Sequence, residues 1–202
     1  FFNKGLEVLI SKNNEFSSLV EQVGIINFKK RELTFEAMTK IIINQQLSNN
    51  VAIAIFNRLK SLFKNNVTIS PENFIDLDDK KIRDQGISYN KIKYMKNLSS
   101  KLVNRPELFN NWFKIKDNDA LKEIQKLNGF GPWSANIILL FYMGRPNIFP
   151  FGDATLQKAY YNIYKKKLKI DLKGLDWAKP YRSIIALYFW KWVDNGMLPL
   201  NH

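Results

Sequence analysis

Apolar residues recur at helical spacing along almost the whole chain. Between Ala52 and Phe63 they fall at positions 52, 55, 56, 59, 62 and 63, which puts them on one face of an α-helix. A second series, from Ile92 to Leu102, repeats the same spacing. Neither the alternation of a half-buried strand nor an internal repeat is present. The pattern therefore predicts an all-α protein with roughly ten helices.

Small polar residues precede several of these apolar runs, where a side-chain oxygen can accept a backbone N–H and cap a helix. Pro180 is predicted to start the last long helix, and the lysines at 165–167 and 169 close the helix before it. The lysines between 91 and 101 are interpreted as a solvated face. The predicted N-caps are Thr34, Ser48, Ser70, Asp78, Ser88, Asp117 and Asp153.

The stretch Leu127–Asn136 joins two of the predicted helices by a glycine turn. Gly129 and Gly131 flank Phe130, so the backbone could take a positive φ twice and approach a ligand closely. Pro132 suits the first position of the next helix, whose N-terminal N–H groups can bind an anion. A plain helix–turn–helix connection has the same composition, so the turn alone does not establish a phosphate site.

A second turn, Phe149-Pro150-Phe151-Gly152, leads into Asp153 at the start of another predicted helix. Most aspartates in this position only cap the helix. What singles out Asp153 is its place after an aromatic loop that follows the apolar helix of the glycine turn.

Charge and composition narrow the classes of protein. The 202 residues contain 31 Lys and Arg against 18 Asp and Glu, a net charge of +13, which favours a polyanion such as nucleic acid as partner. A general lysine bias over solvated faces is the alternative. There are no cysteines and the one histidine is His202, so zinc sites, thiol catalysis and histidine triads are excluded. The sequence has no signal peptide or long apolar run, and we expect an intracellular protein.

The motifs together resemble the helix–hairpin–helix (HhH-GPD) DNA glycosylases, in particular their alkyl-purine branch. The resemblance rests on Leu-x-Gly-x-Gly-x-Trp-Ser-Ala-Asn from Leu127, on Phe149-Pro150-x-Gly152-Asp153, and on the series from Trp177 to Trp190. It is specific over roughly residues 121–192 and fainter over about 34–64.

The resemblance implies a fold of two helical lobes with an active-site cleft between them. Residues 34–145 would form the central lobe, with the hairpin at 127–133, and residues 1–33 plus 146–202 would form the second lobe.

The resemblance also implies cleavage of an N-glycosidic bond in duplex DNA after the damaged nucleotide is rotated out of the stack. Asp153 would be the catalytic carboxylate, which either stabilises the oxocarbenium ion or accepts a proton from water. An alkylated purine of the 3-methyladenine type is cationic and leaves readily, which suits a site without histidine. Aromatic rings would recognise this base by stacking. The candidates for the base pocket are Trp133, Trp190, Tyr142 and Phe149, although any of them could be core residues.

Bifunctional relatives carry a nucleophilic lysine where this chain has Trp133, so the resemblance implies a monofunctional enzyme of base excision repair. The phosphate-binding residues would be Gly129, Phe130, Gly131 and Ser134. Gln46 or Leu47, in the break Gln45-Gln46-Leu47, would be the wedge that fills the gap left by the base, with a simple helix corner whose amides bond to backbone as the alternative. No cofactor is required, but a K⁺ or Na⁺ ion could bind the backbone carbonyls of Leu127, Phe130 and Gly131.

The expected partner is double-stranded DNA with a damaged base, bound by a monomer in the nucleus or the bacterial cytoplasm, with no membrane involved. Two other functions stay open. One is a uracil, mismatch or oxidised-base glycosylase of the same superfamily, and the other is a non-catalytic helix–hairpin–helix DNA-binding module. Arg182 could be structural or face a phosphate.

Overall fold

The protein is built from α-helices joined by short turns. The computed structural model describes residues 2–63, 68–164 and 173–197, and no strand occurs among them. The all-α prediction is thus confirmed. The predicted lysine run at 165–169 and His202 lie outside the described residues. The helices are α1 (Phe2–Lys12), α2 (Asn14–Val23), α3 (Phe35–Asn44), α4 (Asn49–Lys60), α5 (Pro71–Ile75), α6 (Asp79–Asp84), α7 (Tyr89–Asn104), α8 (Leu108–Phe113), α9 (Asp117–Gln125), α10 (Pro132–Ile137), α11 (Ala154–Tyr164) and α12 (Arg182–Asp194).

The chain divides into two compact units. The central unit is Glu32–Ala135, and the terminal unit combines Phe1–Arg31 with Asn136–His202. The chain passes between them in the extended segment after α2 and again within α10. The lobe boundaries predicted from the sequence, near residues 34 and 145, stay a prediction.

In the central unit, the apolar faces of α3, α5 and α7 form the core. Met38, Phe74 and Met95 are fully buried there, and the series from Ile92 to Leu102 points inward as predicted. Two charged side chains support this core. The carboxylate of Glu36 accepts the N–H of Ile69 at 3.2 Å and pairs with Lys40 at 3.1 Å.

The sequence predicts that Lys96 of α7 lies on a solvated face, and this prediction is wrong. Its Nζ donates to the carbonyls of Ile75 and Leu77, both at 2.5 Å. These carbonyls lie in and just after the last turn of α5, where a helix leaves its C=O groups without partners. A lysine placed there satisfies the carbonyls and also suits the helix dipole.

In the terminal unit, α12 is the central helix. Every residue from Arg182 to Phe189 is buried, the pattern of a helix that is covered on all sides. Helices α1, α2 and α11 pack around it, and Phe16 of α2 meets Tyr188 edge-on with ring centroids 5.4 Å apart.

Most of the predicted helix starts and cap bonds are confirmed, with three exceptions. Ser48 occupies the cap position but makes no side-chain cap bond. Helix α9 begins at Asp117 itself, so its cap is Lys116 and the carboxylate lies in the first turn, where it still suits the dipole. The last helix begins at Arg182, two residues after Pro180.

Candidate functional site

The glycine turn connects α9 to α10 in the central unit. Gly129 has φ +84°, and a Cβ built there would lie 2.3 Å from Cδ2 of Tyr94. Gly131 does not share the positive φ, so the prediction of two left-handed glycines is wrong at this position. A Cβ on Gly131 would meet no atom within 4 Å. The first glycine is therefore needed for the fold of the turn, and the second leaves an open surface beside the start of α10.

Two of the predicted phosphate-binding residues, Phe130 and Ser134, have buried side chains. Phe130 is buried, and its N–H donates to the carbonyl of Leu127 at 3.1 Å. Ser134, a predicted phosphate-binding residue, is 2% exposed, and its Oγ accepts Nε2 of Gln45 at 3.0 Å. What the turn can offer a ligand is therefore mainly main chain around the exposed Gly131.

The predicted wedge lies just after α3 in the same unit. Gln46 has φ +60° and is exposed, and Leu47 is 38% exposed with its N–H bonded to the carbonyl of Asn44 at 3.2 Å. A residue other than glycine in the left-handed region is uncommon and often marks a functional turn. Both wedge candidates therefore project from a sharp turn.

The chain brings two further side chains to these turns that sequence reasoning missed. Gln45 lies in the predicted break between two helices, and its Nε2 donates to the carbonyl of Gly129 at 2.7 Å. The sequence predicts a solvated face for Lys91, but its Nζ donates to the carbonyls of Ile43 and Gln45 at 2.8 and 2.9 Å. No local signal could have found these contacts, because they join segments more than forty residues apart in sequence.

The loop before Asp153 belongs to the terminal unit, and α12 holds it in place. Oγ of Ser183 donates to the carbonyl of Arg145 at 2.6 Å and accepts the N–H of Ile148 at 2.9 Å. The N–H of Ser183 donates to the carbonyl of Pro146 at 3.0 Å. One serine thus fixes three backbone groups of the loop.

Asp153 caps α11, as the sequence predicted. Its Oδ1 accepts the N–H of Leu156 at 2.9 Å, and its carbonyl accepts the N–H of Gln157 at 3.0 Å. The amide of Gln157 in turn donates to the carbonyl of Phe151 at 2.5 Å. The side chain of Asp153 is half-buried. The carboxylate is therefore held in one orientation without being sealed in the core.

The four base-pocket candidates differ in burial. Trp133 in the central unit and Trp190 in the terminal unit are half-buried. Trp190 stacks on Phe141 with ring centroids 5.6 Å apart and an interplanar angle of 28°. Tyr142 and Phe149 are 6% and 4% exposed, and the ring centroids of Phe149 and Phe151 lie 5.0 Å apart. The two tryptophans are consequently the candidates with accessible ring surface.

Beyond α10 the chain continues as a helix of different geometry. Residues Ile138–Tyr142 form a π-helical turn. Such turns are rare in proteins overall, but many of those known lie at functional sites. The N–H of Arg31 donates to the carbonyl of Phe141 at 2.9 Å, and its guanidinium lies 4.8 Å from the Phe141 ring centroid. The cation and Trp190 thus both contact the Phe141 ring.

Arg182 is a structural residue. Its Nη2 lies 2.6 Å from Oδ1 of Asp176, and its Nε donates to the carbonyl of Leu175 at 3.1 Å. A hydrogen bond from Lys179, and then the charges of Lys179 and Arg182, hold the pKa of Asp176 below its usual range despite partial desolvation. The guanidinium is buried and paired in this way, which favours the structural role of Arg182 over a phosphate-facing one.

The described part of the chain contains no group of three or more His, Cys, Asp or Glu residues placed to hold a metal ion. None of its helices is long and apolar enough to cross a membrane.

Comparison with known proteins decides the family. The model of the HhH-GPD superfamily of base excision DNA repair proteins matches residues 39–172, which include the glycine turn and Asp153. The chain belongs to this superfamily. Among HhH-GPD relatives, Bacillus subtilis YfjP, provisionally named a DNA-3-methyladenine glycosylase, is 30% identical over 170 residues, covering 79% of this chain and 59% of YfjP. DNA-3-methyladenine glycosylase 1 of Schizosaccharomyces pombe is 26% identical over 174 residues, covering 82% of this chain and 74% of the relative.

The fold of this HhH-GPD chain is also similar to solved structures. The S. pombe 3-methyladenine DNA glycosylase in complex with abasic DNA superposes with a TM-score of 0.83 at 24% identity, covering 95% of this chain and 97% of that one. This likeness confirms the predicted helical fold.

Proposed function

We propose that this chain is a DNA glycosylase that removes alkylated purines of the 3-methyladenine type as a step of base excision repair. Membership of the HhH-GPD superfamily and the names of its relatives support this function. The chain spans 59% of the length of YfjP, so the activity of the whole protein is part of the proposal.

The observation that carries the proposal is the half-buried carboxylate of Asp153, fixed by its cap bond and by a loop pinned to α12. In the proposed reaction, the bond between C1′ and the base nitrogen breaks, and its electron pair leaves with the base. Water adds to C1′ and loses a proton. The carboxylate stabilises the positive charge on the sugar or accepts that proton.

Accessible tryptophan rings fit a cationic base. Stacking of a cation on an aromatic face contributes about 0.5–2 kcal/mol, and Trp133 and Trp190 are the half-buried candidates for it. Tyr142 and Phe149 are buried and would offer such a base little ring surface. An alkylated purine already carries positive charge and needs no strong general acid to leave, in keeping with these neutral rings.

The residue at position 133 determines which product we expect. Because tryptophan has no amine, it cannot form a Schiff base with the sugar, so the enzyme would be monofunctional and would leave an intact strand with an abasic site. Gel analysis with and without alkaline cleavage of the product distinguishes the two outcomes.

DNA would be held by the hairpin backbone and opened by the wedge. The exposed backbone at Gly131 and the start of α10 would face a phosphate, with Gly129, Phe130 and Ser134 shaping the turn. Gln46 or Leu47 would fill the space of the extruded base. We propose a monomer on duplex DNA, with a K⁺ or Na⁺ ion on the carbonyls of Leu127 and Phe130 as an optional support. The carbonyl of Gly131 is a third candidate ligand; like that of Leu127 it already accepts one N–H, so an ion would use its second lone pair.

The test is a base-release assay on matched duplexes that carry 3-methyladenine, hypoxanthine, uracil or an oxidised guanine. We expect release of the alkylated purine above all, with the Asp153→Asn variant as the inactive control. Preference for uracil or the oxidised base would move the protein to another branch of the superfamily. Specific duplex binding with no release of any base would favour the non-catalytic DNA-binding module.

A further inference from the structure

In the central unit, one amide side chain ties the wedge turn to the hairpin. Gln45 is the first residue after α3, and its backbone turns away from the helix at φ −56° and ψ 126°. Its Nε2 donates to the carbonyl of Gly129 at 2.7 Å and to Oγ of Ser134 at 3.0 Å. An amide nitrogen has two N–H donors, and both are used on the hairpin.

Lys91 fixes the same residue from α7. Its Nζ lies 2.8 Å from the carbonyl of Ile43 and 2.9 Å from that of Gln45. The last carbonyls of a helix have no partner within the helix, and an ammonium group at that end is also favoured by the dipole. Partial burial lowers the pKa of Lys91. Lys91 thus holds the backbone of Gln45 while the Gln45 side chain holds the hairpin.

The next turn of α7 supports the hairpin directly. The ring of Tyr94 lies against Gly129, close enough that an added Cβ would lie 2.3 Å from Cδ2. Lys91 and Tyr94 are three residues apart and therefore share one face of α7. One helical face consequently sets the position of both turns.

This arrangement bears on Gln46, the residue that follows. Gln46 is held at φ +60° although it is not a glycine, and a strained conformation of this kind persists only where the surroundings enforce it. The contacts of Gln45 and Lys91 are the restraints on its N-terminal side.

We infer that Gln45 and Lys91 are positioning residues, which fix the wedge turn Gln46–Leu47 at a set distance from the phosphate-binding hairpin. This inference rests on the proposed function. When a DNA strand binds at the hairpin, this fixed distance would place the wedge turn next to the damaged nucleotide. Without the hydrogen bonds of Gln45 and Lys91, the hairpin backbone can still bind DNA, but the wedge turn is no longer held in one conformation. Extrusion of the base is therefore reduced more than the affinity for duplex DNA.

The main variants are Gln45→Met and Lys91→Met, each of similar length to the natural side chain and unable to donate a hydrogen bond. Lys91→Arg keeps the donors and should restore function. Gln125→Met and Lys93→Met make the same exchanges at exposed positions of α9 and α7 and serve as matched controls. Thermal unfolding of every variant shows whether it is folded.

Two readouts separate extrusion from binding. The first is fluorescence of a 2-aminopurine placed beside a stable abasic analogue, which rises when the wedge unstacks it. The second is the single-turnover rate of base release at saturating enzyme. We expect Gln45→Met and Lys91→Met to lower both by about tenfold, with affinity for undamaged duplex within about twofold of the parent.

A double-mutant cycle decides whether the effect passes through the wedge. In a Leu47→Ala background, Gln45→Met should lose most of its effect on the fluorescence, because coupled residues are not additive. Parental fluorescence and rates in both main variants, or losses that only follow duplex affinity, would overturn the inference. A parent that unstacks the reporter but releases no base would refute the proposed enzyme and leave the positioning network supported. A parent that does not unstack the reporter would refute both.

Discussion

The glycine turn and the Asp153 loop are both short connections that end in a helix start, yet they are built in opposite ways. In the glycine turn the side chains of Phe130 and Ser134 are buried and the backbone forms the surface. In the Asp153 loop the backbone is fixed by Ser183 and one side chain is presented. The first region therefore suits a ligand recognised by main chain, and the second suits a reaction at a carboxylate.

The largest expected effect concerns the presented side chain. Asp153→Asn should reduce the rate of base release by about a thousandfold, because an amide cannot stabilise positive charge on the sugar. Asparagine is as good an N-cap as aspartate, so the free energy of unfolding should stay within about 0.5 kcal/mol. Single-turnover kinetics and denaturant unfolding measure the two quantities. An active Asp153→Asn enzyme would remove this residue from the mechanism.

A pair of alanine substitutions tests the glycine turn. Gly129→Ala should lower the free energy of unfolding by about 2–3 kcal/mol, because of its positive φ and the contact with Tyr94. Gly131→Ala should leave stability unchanged, since its Cβ would enter open space. Chemical unfolding distinguishes the two variants, and equal losses would contradict the different roles of the glycines.

A larger side chain at Gly131 separates binding from folding. Gly131→Leu should keep the parental stability but weaken duplex affinity by about tenfold at any DNA sequence, because the side chain would occupy the surface proposed to face a phosphate. Fluorescence anisotropy at several salt concentrations measures this effect, with Gly131→Ala as the milder companion. Unchanged affinity would show that the hairpin backbone does not contact DNA.

The backbone of the Asp153 loop can be released without touching the carboxylate. Ser183→Ala removes the hydroxyl that bonds the carbonyl of Arg145 and the N–H of Ile148. The substitution should lower the free energy of unfolding by about 1–3 kcal/mol. We expect a lower rate of base release as well, with duplex affinity retained. If stability falls while the single-turnover rate stays parental, the loop does not need Ser183 to position Asp153.

The smallest effect is an acid dependence of the central unit. Burial raises the pKa of Glu36, but hydrogen bonds from Lys40 and Ile69 and the charges of Lys40 and Lys60 outweigh it and leave the pKa lowered. A lowered folded pKa contributes stability that is present above the ordinary value of 4.5 and is lost as the pH falls through the folded value. Unfolding curves of parent and Glu36→Gln should therefore converge in acid.

Local sequence was enough to predict the residues that act over short distances. Thr34 and Ser88 cap their helices as expected, because a cap depends on a hydrogen bond only three residues along the chain. The cap role of Asp153 has the same origin. The number of left-handed glycines was not predictable, since Gly131 could adopt either conformation and the surrounding fold selected one.

By itself, the sequence determined the helices, the family and the position of Asp153, because periodicity and motifs are written in neighbouring residues. Tertiary structure alone decided that Lys91 and Lys96 bind helix ends. Tertiary structure also decided that Gln45 joins two turns 84 residues apart. The reason is that a long polar side chain can reach water or a buried carbonyl with equal ease, and only the packing of distant segments supplies the carbonyl.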